Sequence, residues 1–211
     1  MPHGSLNIAA TPSVKEAQRL NGSAGYWSGF SGERTFDRFR ESERAFIAAR
    51  DSLYMATVSE TGWPYVQHRG GPAGFIHVLD DKTFAVADFR GNRQYISVGK
   101  LSTGSRAALI LMDYANRRRL KILTHVEIKT LDDDPELAAV VMPPGYRAKL
   151  ERILLFHLDA FDWNCSQHIT QRFTETEVME ALSLVRARMA QLEVENASLR
   201  DQLAAQDHAV L

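Results

Sequence analysis

Two arginines, an asparagine and a glutamine surround a single glycine in Asp88-Phe89-Arg90-Gly91-Asn92-Arg93-Gln94-Tyr95. Guanidinium forks pair with phosphate oxygens two at a time, and a helix start adds unpaired N–H groups and the positive end of a dipole. The flanks supply such a start. Thr83 to Ala87 is an apolar, strand-like run, and Ile96 to Leu101 reads as a short helix. The stretch is therefore read as a phosphate cradle where a strand hands over to a helix. A phosphorylated ligand is the first expectation.

Two further segments have the same character. One is Gln67-His68-Arg69-Gly70-Gly71. The other runs from Phe161 through Asp162, Trp163, Asn164, Cys165, Ser166, Gln167 and His168 to Arg172 and Phe173. Each gathers planar or basic side chains at an element boundary, close to an aromatic. A polar strand end in water looks the same when met alone. Three such ends in one small domain suit a flat polar heterocycle with a phosphate tail. Other chemistries find no carrier. No Gly-x-Ser-x-Gly elbow, no Gly-Lys-Ser or Gly-Lys-Thr loop and no His-Glu-x-x-His pair is present. The seven histidines are scattered, and His125 and His157 read as satisfied or solvated strand residues. A single cysteine, Cys165, rules out a multi-cysteine zinc site and an intramolecular disulfide. No metal site is expected and no catalytic residue stands out. His68 is the residue to test as a proton donor.

Composition narrows the partners. Hydrophobic residues make up 45% and charged residues 24% of the 211, as in ordinary globular proteins. A net charge of −1 argues against a nucleic-acid coat, and Arg117-Arg118-Arg119 reads as well as a hairpin turn as it does a basic patch. No apolar run approaches the ~20 residues that span a bilayer. The first thirty residues lack a basic stretch followed by an apolar core, so a cytoplasmic location is expected.

The elements that must position these residues are mostly strands. Residues 1–38 form an arm rich in Gly, Ser and Asn, with a short helix at Ser13 to Leu20 and the large groups Tyr26, Trp27 and Phe30 to anchor it. Arg40 to Asp51 reads as a helix. Strands are expected at Leu53–Ser59, Tyr65–Arg69, Phe75–Leu79, Thr83–Phe89, Ala107–Asp113, Arg119–Leu131 and Arg152–Trp163. The Arg119–Leu131 run alternates between Leu120, Ile122, Thr124, Val126, Ile128 and Lys121, His125, Glu127, Lys129, the mark of a half-exposed antiparallel strand. A short helix follows Asp134-Pro135-Glu136. Strands joined by tight turns, with few helices between, predict a closed or nearly closed antiparallel barrel over residues 39–173. Residues 174–211 differ. Val178, Leu182, Val185, Met189, Leu192, Asn196, Leu199 and Leu203 recur at heptad spacing, with Asn196 at an a-type position. This predicts a coiled coil between copies, or else a helix packed on a barrel.

The globular part resembles the pyridoxamine 5′-phosphate oxidase-related proteins, the FMN-binding split-barrel group. The resemblance runs from about Phe39 to Phe173. It rests on Met55-Ala56-Thr57-Val58, Gly62 to Gly71, Phe75-Ile76-His77-Val78, Ala87 to Gln94 and Phe161 to Cys165. It implies a mainly β split antiparallel barrel with flanking helices, to which this chain adds its long C-terminal helix. It implies FMN, ahead of a deazaflavin, held at the subunit interface of a homodimer. Asn92, Arg93 and Gln94 would meet the phosphate. Gln67, His68 and Arg69 would run past the ring and ribityl chain. Trp163, His168 and Arg172 would arrive from the other subunit. True pyridoxamine phosphate oxidases end in a segment whose Arg-Leu-type motif grips the substrate. The heptad helix stands there instead, so that substrate is not expected.

Three functions follow. An FMN-dependent oxidoreductase acting on a small molecule comes first, since the flavin carries the hydride or electron chemistry. A non-catalytic flavin binder, redox sensor or oligomerisation protein is the alternative. A barrel oligomer without a cofactor is the third.

Overall fold

The computed structural model describes residues 4–28, 36–163 and 167–209, with backbone alone at 27, 28 and 203–209. Phe30, Asn164, Cys165 and Ser166 lie outside the described residues, as do the side chains of Trp27 and Leu203. The chain divides into two compact units, Met1–Ile169 and Thr170–Leu211.

Seven antiparallel strands build the first unit: β1 (Ser52–Val58), β2 (Pro64–Gly70), β3 (Ile76–Val78), β4 (Thr83–Phe89), β5 (Arg106–Asp113), β6 (Arg118–Lys129) and β7 (Leu150–Trp163). Their order in the sheet is β2-β1-β5-β6-β7-β4-β3. The arm carries α1 (Gly4–Ala9), α2 (Pro12–Leu20) and α3 (Ala24–Ser28); α4 (Glu41–Ala48) precedes β1, α5 (Ile96–Thr103) follows β4, and α6 (Pro135–Val141) precedes β7. Sequence reading missed α1 and α3, whose Gly and Ser content argues against helix. It also ran α4 three residues too far. The helix stops at Ala48 because Ser52 already pairs with Gly70 in the sheet.

The sheet is curled, and its concave side is filled. Leu53, Met55, Phe75, Ile76, Phe84, Val86, Leu109, Leu111, Leu120, Ile122, Leu154, Phe156 and Phe161 form one continuous core. Phe84 and Phe156, cross-strand partners, stack at 4.7 Å. Leu101 of α5 and Phe46 and Ile47 of α4 complete that core. β2 adds no buried apolar residue. It closes on β4 through side chains instead: Arg69 pairs with Asp88, although β2 is one sheet edge and β4 lies next to the other. This is the split barrel that the strand pattern and the resemblance predict.

The convex side is uneven. Over β4 and β7, Ala85, Ala87, Ile153 and Leu155 are covered by Val141 and Leu137 of α6. That helix starts where expected, with the Asp134 carboxylate accepting from the Leu137 N–H (3.0 Å) and Pro135 in the first turn. Over β2, β1 and β5, Val66, Tyr54, Val58 and Ile110 remain exposed.

The second unit is one long helix, α7 (Glu175–Ala209). Thr174 and Glu177 cap its start reciprocally: the Thr174 hydroxyl accepts from the Glu177 N–H (3.2 Å), and Glu177 accepts from the Thr174 N–H (2.7 Å). No helix among the described residues is long and apolar enough to cross a membrane.

Candidate functional site

β4 carries apolar residues on both faces as far as Ala87 and then turns polar at Asp88. A carboxylate at the end of a buried strand needs a partner. Asp88 has two: Arg69 from β2 and Arg152 from β7, the latter at 3.1 Å. All three side chains are largely buried.

A β-bulge makes a second layer possible. Asp88 opposes Arg152 and Phe89 opposes Leu150, so Glu151 is skipped in the register. Neighbours on a regular strand point to opposite faces, whereas a bulge re-aims one of them. Glu151 thus accepts from Arg90 (2.6 Å), Arg152 (3.0 Å) and the Tyr95 hydroxyl (3.4 Å). The Arg90 hydrogen bond, more than any other influence, holds the Glu151 carboxyl below its ordinary pKa and raises that of Arg90. The Arg152 guanidinium lies over the Tyr95 ring at 4.8 Å.

The loop from Gly91 to Tyr95 closes this cluster and is held in an unusual shape. Arg93 (φ 60°) and Tyr95 (φ 50°) both sit in the left-handed region. That region suits glycine and costs bulky residues about 1–3 kcal/mol each. Asn92 braces the turn by accepting from the Gln94 N–H at 3.1 Å. Tyr95 then starts α5 without a side-chain cap, and Ile96, Ser97 and Val98 of its first turn line the cleft. Among the described residues Arg93 is exposed and has no hydrogen-bond or ion-pair partner. Four arginines (69, 90, 93, 152) against two carboxylates leave surplus positive charge. The Nε of Arg69 is buried without a partner.

These groups surround a cleft of about 270 Å³. Gln67, His68, Arg69, Asn92, Arg93 and Gln94 all line it, so six of the nine expected site residues come together from β2 and the loop after β4. Strand alternation separates three of them. Gln67 points inward, where its carbonyl oxygen accepts from the buried Ser97 hydroxyl (2.8 Å), and Arg69 reaches Asp88. His68 turns to the convex face, its ring 5.4 Å from Tyr54. Gly71 lets Phe75 approach the cleft; a Cβ there would lie 2.7 Å from that of Phe75.

The other three expected residues line no part of this cleft. Trp163 ends β7, where its indole N–H donates to Glu43 at 2.8 Å. Phe46 meets its ring edge-on at 4.8 Å and the Arg118 guanidinium covers a face at 4.6 Å. His168 follows in a left-handed turn (φ 63°) and is exposed. Arg172 belongs to the second unit. Sequence reading overlooked Asp88 as the organiser, Glu151, Arg152 and Ser97. The available signal was a charge at the end of each of two apolar strands, Asp88 in β4 and Glu151-Arg152 in β7. Among the described residues no group of His, Cys, Asp and Glu could hold a metal ion.

The family model for pyridoxamine 5′-phosphate oxidase matches residues 39–153. No curated protein matches the chain. Solved structures similar to it include HupZ of Group A Streptococcus, at 14% identity over 64% of this chain and 99% of that one, with a TM-score of 0.46. An FMN-binding protein from Syntrophomonas wolfei matches at 15% identity over 70% and 97%, TM-score 0.43. General stress protein 26 from Bacillus anthracis matches at 11% identity over 56% and 88%, TM-score 0.44.

Proposed function

Because the chain belongs to the pyridoxamine 5′-phosphate oxidase family, we propose that its cleft binds the phosphate end of FMN and that the protein is an FMN-dependent oxidoreductase acting on a small molecule. The observation that carries this reading is the loop from Gly91 to Tyr95. Its strained backbone presents Arg93, unpaired among the described residues, beside the uncapped start of α5. A dianionic phosphate satisfies both. The bound flavin supplies the hydride or electron transfer.

The protein's own residues bind and orient. Arg93 and the first turn of α5 take the phosphate. Asn92 keeps the turn that aims Arg93. Arg69 is fixed by Asp88, and Gln67, fixed by Ser97, keeps its amide N–H₂ for a ligand acceptor. Positioning of this kind needs no side-chain acid or base, which agrees with the lack of a catalytic motif.

A homodimer completes the site in this reading. The cleft of about 270 Å³ falls just short of the range of ligand pockets, about 300–1,000 Å³. One protomer therefore has room for the phosphate and ribityl end, and the ring needs a second wall. The exposed face made by Val66, Tyr54, Val58 and Ile110, with Trp63 at its rim (75% exposed), supports a partner there. His68 stands on that same face. His168 and Arg172 are the residues assigned to the partner's flavin; Trp163, already bonded to Glu43, would offer only ring surface.

The test is direct. Purified protein should show flavin absorbance or quench added FMN with one site per chain. Arg93→Ala should weaken FMN at least about tenfold, as expected for a lost charge-assisted hydrogen bond of about 1.5–3 kcal/mol, and leave riboflavin nearly unchanged. Equal loss for both ligands would show that Arg93 does not meet the phosphate. No flavin binding at all would end this reading. A second reading, a non-catalytic flavin binder that signals through α7, is favoured by the exposed apolar stripe of that helix. A flavoprotein reduced by neither NADH nor NADPH would support it.

A further inference from the structure

α7 has 35 residues, about 52 Å of helix at 1.5 Å per residue. Every residue from Glu175 to Gln202 is exposed. A water-bathed helix of this length normally gains its stability from an apolar face that packs on something. Here that face is a heptad stripe. Leu182, Met189 and Asn196 occupy a positions, and Val185, Leu192 and Leu199 occupy d positions. The five apolar ones are 41–56% exposed.

The flanking charges say what covers it. Arg188 and Glu195 stand at g, and Glu193 and Arg200 at e. In a parallel pair, each g residue faces the e residue five positions later on the other helix. Arg188 then meets Glu193, and Glu195 meets Arg200, each twice by symmetry. All four contacts join opposite charges, so the stripe is complementary to itself. Asn196 selects the orientation. In a parallel pair it meets its own copy, amide to amide. In an antiparallel pair centred on Met189 and Leu192 it would face Val185 and bury an unpaired amide, at a cost of about 1–3 kcal/mol. We propose that α7 is the strand of a parallel, in-register two-stranded coiled coil with α7 of a second copy of this chain. This inference stands on the helix alone and is independent of the flavin reading.

Cysteine crosslinking of the full chain in a Cys165→Ser background tests it. Leu199→Cys at d and, separately, Leu182→Cys at a should each give a disulfide-linked dimer under mild oxidation. Asp201→Cys, on the outer face of the helix, should remain uncrosslinked. Glu193→Arg added to Leu199→Cys should weaken pairing about tenfold, since two attractive contacts become repulsive. Further addition of Arg188→Glu should restore it. Failure of both Leu182→Cys and Leu199→Cys, or crosslinking of Asp201→Cys as fast as theirs, would overturn the proposal. So would a charge swap that gives no recovery, because the Arg188–Glu193 contact defines the register.

Discussion

Glu43 and Asp88 are both buried carboxylates at element ends, and they are satisfied in different ways. Glu43 accepts from the Arg40 N–H (3.0 Å), the Ser42 hydroxyl (3.0 Å) and the Trp163 indole (2.8 Å), which ties α4 to the end of β7. Asp88 is held by two guanidinium groups from β2 and β7. Around Trp163, aromatic rings and Arg118 fill the space. Around Asp88 there is a cleft, a strained loop, an orphan Arg69 Nε and surplus positive charge. Both regions look alike as sequence, since each is a strand end mixing an aromatic with polar planar groups. What separates them is that the Asp88 end opens on a cleft and carries an exposed arginine, Arg93, without a partner among the described residues. The Trp163 end binds the fold together, whereas the Asp88 end lines an open cleft.

Removing the organiser of the cleft should have the largest effect. Asp88→Ala leaves Arg69 buried without its carboxylate and Arg152 with Glu151 alone, and breaking such a cluster costs about 3–5 kcal/mol. Urea unfolding should show that loss, together with loss of FMN binding. An effect under about 1 kcal/mol would mean that the two arginines find water instead. Trp163→Phe is the matched change at the other end. It keeps an aromatic ring, smaller than the indole, and removes the N–H to Glu43, a loss of about 1.5–3 kcal/mol for a hydrogen bond to a charged group. Stability should fall while FMN affinity stays within about twofold in that variant. A large affinity loss would instead mean that Trp163 touches the flavin.

Much of the barrel was legible. β4 was bounded at Thr83 and Phe89 because a turn of Asp80-Asp81-Lys82 and a polar loop flank an apolar run. β6 was legible from its alternation, and its buried face is the predicted one through Val126. That Gly91, Asn92, Arg93 and Gln94 would gather at one place was legible from the cluster of polar groups around Gly91, and they line one cleft. The network beneath it was not, for a physical reason. Asp88 and Arg152 meet as cross-strand partners far apart in the chain, and Arg69 reaches them only because the sheet curls. Glu151 joins them through a bulge that no local pattern encodes. The positive φ of Arg93 and Tyr95 was hidden for the same reason, since intrinsic preference argues against it.

That strain gives a smaller and more pointed prediction. Arg93→Gly should stabilise the fold by about 0.5–1 kcal/mol, because glycine adopts a φ of 60° without a Cβ penalty. The same change should weaken FMN binding as much as Arg93→Ala does. Opposite signs in thermal midpoint and affinity would mark Arg93 as a residue kept for its ligand. A drop in both would mean that the Arg93 side chain supports the loop itself.

The smallest effect concerns His77, on the edge strand β3 and outside the lining of the cleft. Its Nε2 is buried without a partner, and burial holds its pKa below the ordinary 6.5. The unfolded chain therefore takes up a proton at His77 at a higher pH than the folded chain does. Stability rises with pH wherever the unfolded state binds more protons. The His77 contribution is thus complete above pH 6.5 and declines as pH falls through that value. Glu151 adds a separate loss lower down, as pH falls below its ordinary 4.5, since its folded pKa is also depressed. His77→Gln should flatten the thermal midpoint between pH 7.5 and 5.5 and leave the acid-side loss intact. Unchanged slopes in that window would mean that the proton is taken up elsewhere. A shift confined to the acid side would place the coupling at the Arg90–Glu151 pair, and so return pH sensitivity to the residues beside the cleft.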